Sequence, residues 1–171
     1  MIVQIEHLAD IRRQHQNQQI VLTTGTFDLL HVGHLRYLRA VQALGDVVVV
    51  LLSGDDRVKA RKGHTRPIIP EADRAQMLGA LKVVDYVLID HAKGDPTQSS
   101  PVHAQIAQEL QPDICAADGG RDPRFIGIVD DDKFRIIDLR RTGGYPAARG
   151  DETASTSAII DYIVQLNCQA V

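Results

Sequence analysis

The run VVVVLLS (47–53) has no polar face. In an extended strand, alternate side chains point to opposite sides, so such a segment must bury both. That is the mark of an interior strand in a parallel sheet covered by helices. The rest of the chain supplies matching elements. Leu8 and Ile11 share one face of a leading helix over 5–15, and the polar patch Gln14–Gln19 reads as a loop. QIVLTT (19–24) reads as a buried strand that breaks at Gly25. Leu35, Leu38, Val41 and Leu44 recur at helical spacing over 34–44, and Gly45 stops that helix. A helix over 71–81 starts behind Pro70. DYVLID (85–90), DICAA (113–117) and KFRIIDL (133–139) read as strands, PVHAQIAQEL (101–110) as a helix. A closing helix covers 155–166 with Ser155 or Thr156 as its cap. The alternation predicts an α/β fold: a Rossmann-like doubly wound parallel sheet of about five strands with helices on both faces. A single domain is expected over 1–171, with 1–18 as leading helix and loop. Ligands of such sheets bind beyond the carboxyl ends of the strands, where the strand order reverses.

Composition narrows the partners. A net charge of −3 argues against nucleic acid and anionic membranes, although a local basic cluster can still hold a small phosphorylated ligand. The two cysteines, Cys115 and Cys168, make no CxxC pair, which suits reduced thiols and a cytoplasmic protein. No apolar run approaches the ~18 residues needed to cross a bilayer, and MIVQIEHLADIRR lacks the character of a secretory signal.

The end of the first strand carries TTGTFDLLHVGHLRYL (23–38), in which His31 and His34 flank Gly33. An HxxH pair by itself is most often structural. A metal reading, with Asp28 as an oxygen ligand, lacks a third histidine or cysteine at a recognisable spacing. Context favours another use. Gly25 allows a tight turn and close backbone approach, Thr26 adds a hydroxyl, and His34 stands at a helix N-terminus, which attracts anions. Strand, glycine turn, imidazoles and helix start together form a cradle for phosphates. The chain contains neither GxxxxGK[ST] nor GxGxxG.

GTFDLLHVGH resembles the G-x-F-D…H-x-G-H signature of the cytidylyltransferase-like nucleotidyltransferases. KGHTRPIIPEADRAQMLGALKVVDYV (62–87) resembles their basic stretch, arginine-bearing helix and V-D-x-V strand, and STSAII (155–160) their S-T-T-x-I. The K-G-x-x-R-P and G-A-L-x-x-V-D stretches are most similar to the adenylyltransferase part of ADP-heptose synthases. Glycerol-3-phosphate cytidylyltransferases and archaeal FAD synthetases share the core. The resemblance implies transfer of a nucleoside monophosphate, AMP from ATP first, to a phosphorylated small molecule such as a heptose 1-phosphate, with release of pyrophosphate. CTP with glycerol phosphate, FMN adenylylation and an idle nucleotide-binding sensor are the alternatives. A sensor would not need the histidine pair, the basic loop and the hydroxyl-rich last helix together.

The resemblance gives catalytic parts to His31, His34, Lys62 and Arg141. It gives nucleotide contacts to Thr24, Gly25, Thr26, Phe27, Gly33, Lys59, Arg74, Asp118, Ser155, Thr156 and Ser157, with no metal ligand from the protein. Lys59 and Lys62 fall on a loop after the second strand, and Arg74 on the helix that follows. A solvated basic loop, a surface arginine and ordinary helix capping are the structural counter-readings. Asp28 is expected to tie down its turn. Magnesium is expected to arrive with the triphosphate. Arg141-Thr142 precedes GGYPAARGDETA instead of standing a few residues before STS. The segment 143–154 is therefore read as a mobile insertion, a lid over substrate, and Arg149 competes with Arg141 for the family arginine's part. A homodimer is expected from the relatives.

Overall fold

A computed structural model of the chain describes residues 1–93, 100–117, 135–139 and 155–168. The elements run β1 (Ile2–Val3), a 3-10 turn (Ile5–His7), α1 (Leu8–Gln14), β2 (Ile20–Gly25), α2 (Val32–Gln42), β3 (Val47–Ser53), α3 (Asp55–Lys62) and α4 (Glu71–Gly79). Then come β4 (Tyr86–Asp90), α5 (Pro101–Gln105) continuing as a π-helical turn (Ile106–Leu110), β5 (Ile114–Ala117), β6 (Arg135–Asp138) and α6 (Thr156–Cys168). The strands form one sheet in the order β1-β4-β3-β2-β5-β6, and every pairing is parallel.

All seven residues of β3 are buried, as its unbroken apolar run requires. Val47, Val49 and Leu51 face one layer with Leu8 and Ile11 of α1 and Ile106 and Leu110 after α5. Val48, Val50 and Leu52 face the other, against Tyr37, Leu38 and Val41 of α2 and Ala75 and Leu78 of α4. Burying each such side chain contributes about 1.5–3 kcal/mol, so the two faces of one strand hold both helical layers in place. Among the described residues no helix is long and apolar enough to cross a membrane.

The strand count is six, one more than expected. The extra strand, β1, has two residues, too few for any periodicity, and is defined by its partners Val87 and Leu88. From β2 the chain steps outward to β3 and β4, then returns past β2 to β5. The strand order therefore reverses between β2 and β5, and the carboxyl end of β2 lies at that switch point.

The basic segment after β3 is a correction. Lys59 and Lys62 lie on a helix, α3, not on a loop. Its only large apolar residue is Val58, so it shows no amphipathic period. Charge order supports it instead: Asp55 and Asp56 in the first turn, Lys59, Arg61 and Lys62 in the last, each matching the helix dipole. Gly63, at φ 90°, ends it.

Candidate active site

The corner after β2 is built by side chains more than by glycine. Gly25 is the last residue of β2, and the left-handed backbone falls on Phe27 (φ 48°) and Leu29 (φ 46°). The expectation that Gly25 makes the turn is thus corrected. Its lack of a side chain serves a close approach, because a Cβ there would stand 2.6 Å from the Phe27 ring. That ring is buried and tilts against His34, with centroids 5.3 Å apart. Gly25→Ala is expected to lower stability by about 1–3 kcal/mol and to displace the ring that backs His34. An unchanged denaturation midpoint would show that the ring has room to move.

Asp28 is 2% exposed and holds the next loop. Its carboxylate accepts from the amides of Ile68 and Ile69 at 3.0 Å, and Arg66 Nε lies 3.3 Å away. This matches the structural part expected of it.

The helix after this corner starts earlier than its leucines indicate, because His31 caps it. The Gly33 amide donates to His31 Nδ1 at 3.1 Å, and the His31 amide donates to His34 Nδ1 at 3.4 Å. Gly33 thus serves through its amide. The two rings stack with centroids 3.8 Å apart. A ring nitrogen that accepts from an amide carries no proton, so each neutral imidazole keeps its N–H at Nε2. Burial lowers the pKa of His31. Burial, then the His31 and Lys62 charges, bring His34 down to about 4 against the opposing pull of Asp28. At neutral pH the pair is therefore two stacked, uncharged Nε2–H donors.

The pH dependence of stability follows. Unfolded His34 takes up a proton near its ordinary value of 6.5, whereas the folded residue resists until about 4. Stability is full above pH 6.5 and falls as the pH drops toward 4, by about 2–3 kcal/mol from this residue. Urea unfolding of the wild type and His34→Gln across that window checks it. Equal slopes would overturn the assignment.

Lys62 faces the same corner. Its pKa is lowered by partial burial, then by the charges of Arg61 and Arg66, against the pull of Asp28. Arg61 donates to the Thr26 hydroxyl at 2.9 Å. Neither Arg61 nor Arg66 was among the expected site residues. The R-P of the quoted K-G-x-x-R-P stretch was an available signal for Arg66, and the acid-first, base-last order of α3 for Arg61. Thr24 lies in β2 opposite Leu51, half-buried beside the corner.

Arg74 and Lys59, both expected to contact phosphate, take different places. Arg74 is fully buried, not on a surface. Its guanidinium donates to the carbonyls of Ile69, Thr26 and Ser53 and to Asp55. It braces the corner from beneath, joining the end of β2 to β3, α3 and α4. Lys59 lies on the α3 face that carries Asp56, Ala60 and Gly63, and lines a cavity of about 630 Å³ with His64 and Lys93.

The last helix arrives at the corner from far along the chain. The Thr156 hydroxyl donates to the Asp28 carbonyl at 2.6 Å. Ser155 caps α6 by accepting from the Ala158 amide at 3.1 Å, and Ser157 is exposed. Asp118, Arg141, Arg149 and the segment 143–154 lie outside the described residues.

The parallel sheet carries an imidazole pair, a cationic helix end and a second helix N-terminus at its switch point, an arrangement chemically suited to phosphate groups. The chain belongs to the cytidylyltransferase-like family, whose model matches residues 22–140. It is 46% identical over 150 residues to bifunctional protein HldE of Helicobacter pylori (strain G27), covering 88% of this chain and 28% of that protein. The chain thus spans under a third of the length of the curated relatives it matches. A crystal structure of a lipopolysaccharide core biosynthesis protein from Thermoplasma volcanium GSS1 superposes with a TM-score of 0.52 at 30% identity, covering 70% of this chain and 96% of that one. Pantoate–β-alanine ligase from Francisella tularensis shares the fold at a TM-score of 0.54 and 16% identity, over 93% of this chain and 75% of that one.

Proposed function

We propose that the chain transfers a nucleoside monophosphate, AMP from ATP, to a phosphorylated small molecule, a sugar phosphate such as a heptose 1-phosphate, and releases pyrophosphate. The observation that carries this reading is the reciprocal histidine cap. By tying both Nδ1 atoms to backbone amides, it reserves both Nε2–H groups for an acceptor outside the helix. Beside a cationic helix end, the natural acceptor is a polyphosphate. Similarity to HldE and to the core biosynthesis protein supports the sugar phosphate.

The acceptor's phosphate oxygen attacks the α-phosphorus of the triphosphate, and the bond to the bridging oxygen breaks, leaving pyrophosphate. The nucleophile is already ionised, since the second pKa of a phosphomonoester is about 6, so no general base is needed. The work is alignment and offsetting of growing negative charge. Neutral Nε2–H donors suit this, because they strengthen their hydrogen bonds as charge develops and surrender no proton. In this reading the start of α6 and the Thr26 hydroxyl would hold further phosphate oxygens.

Magnesium enters this reading with the substrate, as the metal–nucleotide. Asp28 and Asp55, two carboxylates beside the corner, are each engaged by protein donors. Among the described residues no cluster of three or more carboxylates, histidines or cysteines is placed to hold a metal. The metal would be held by phosphate oxygens and water.

The test is a matrix of ATP and CTP against heptose phosphate, glycerol 3-phosphate and FMN, read as pyrophosphate released with magnesium present. ATP with the sugar phosphate is expected to turn over fastest. Turnover only with CTP, or only with FMN, would replace this reading. Nucleotide binding without turnover on any acceptor would make the chain a sensor.

A further inference from the structure

The end of a helix is an awkward neighbour for a polyphosphate. The last carbonyls of α3 carry its negative dipole end toward the switch point, and an unmodified helix end would repel the ligand. Three cations in that last turn reverse the local sign. Lys59 lies on the face with Asp56, Ala60 and Gly63, along the cavity it shares with His64 and Lys93. Arg61 extends from the other side of the helix to the corner itself, where it donates to the Thr26 hydroxyl across a separation of 35 residues.

That hydrogen bond has two consequences. It holds the guanidinium of a solvent-exposed arginine beside the first residue after β2. It also occupies a lone pair of the Thr26 oxygen, so the hydroxyl keeps its own proton to donate. Thr26 is 7% exposed and its carbonyl is held by Arg74, so the hydroxyl is a rigid anchor. A planar fork held this way matches two oxygens of a phosphate, as a lysine ammonium cannot.

We propose that Arg61 is a further catalytic residue of this site, clasping the pyrophosphate end of the bound triphosphate from α3 with the Thr26 hydroxyl as its anchor. This rests on the nucleotidyl-transfer reading above. When the bond between the α-phosphorus and the bridging oxygen breaks, the electron pair stays on the departing pyrophosphate, and Arg61 offsets that charge together with the imidazoles. Lys62, whose proton affinity is lowered first by burial and then by Arg61, stands beside it.

The test compares the wild type with Arg61→Gln and Arg61→Lys in equilibrium titrations with ATP and with CTP at several salt concentrations, alongside pyrophosphate release. Arg13→Gln removes the same charge from the exposed Arg13–Asp10 pair on α1 and serves as control. Arg61→Gln is expected to weaken triphosphate binding about tenfold or more. It should also give a shallower salt dependence, with an unchanged melting temperature and a further loss in kcat. Arg61→Lys falls between, because charge remains and the fork is lost. Binding within twofold of wild type, or weakened with an unchanged salt slope, would overturn the proposal, the latter marking a purely structural part. A wild type that binds ATP but releases no pyrophosphate with any acceptor defeats the transfer reading, while the binding comparison still judges Arg61. A wild type that binds neither triphosphate defeats both.

Discussion

His34→Ala is expected to cut turnover by more than about a hundredfold, the size typical of losing one preorganised donor to developing charge. The chain should remain folded, since the residue's structural contribution is one acceptor for the His31 amide and contact with the Phe27 ring. Losing such a cap costs about 1 kcal/mol, small beside the effect on rate. His34→Gln separates the roles, because its amide reaches toward the position of Nε2 and restores a donor there. Glutamine is expected to retain more activity than alanine in single-turnover assays. Near-normal activity in the alanine variant would remove His34 from the mechanism.

Arg74→Met is expected to destabilise the chain by about 3–5 kcal/mol, the range for breaking a buried ion pair by removing one partner. The carbonyls of Thr26, Ser53 and Ile69 would lose their guanidinium donor together, and Asp55 its cation. Arg74→Lys should recover little, because one ammonium cannot span donors directed to four groups on separate segments. Urea denaturation measures both, and a loss below about 1 kcal/mol in the methionine variant would show that the carbonyls find other partners. The effect belongs to stability, with activity falling as the corner loosens. A phosphate-binding arginine would give the opposite pattern.

These variants separate two layers of the corner that look alike in the sequence. His31, His34, Arg61 and Lys62 present polar groups around the switch point, while Asp28 and Arg74 spend theirs on backbone. The two layers share the guanidinium group, carried by Arg61 in one and Arg74 in the other. Burial and partner identity distinguish them.

Much of the architecture was legible in the residues. The seven buried positions of β3, the alternation of strands and helices, and the HxGH corner at the end of an early strand all follow from local pattern. Periodicity and capping chemistry act over a few residues, so a sequence states them directly. The tertiary structure decided the rest. It made a strand of Ile2–Val3 by pairing it with β4, and brought Thr156 to the carbonyl of Asp28. It sank Arg74, expected as a nucleotide contact, beneath the turn. Each of these depends on groups tens of residues apart. Whether a charge faces solvent, ligand or a buried carbonyl is settled by what the fold sets against it.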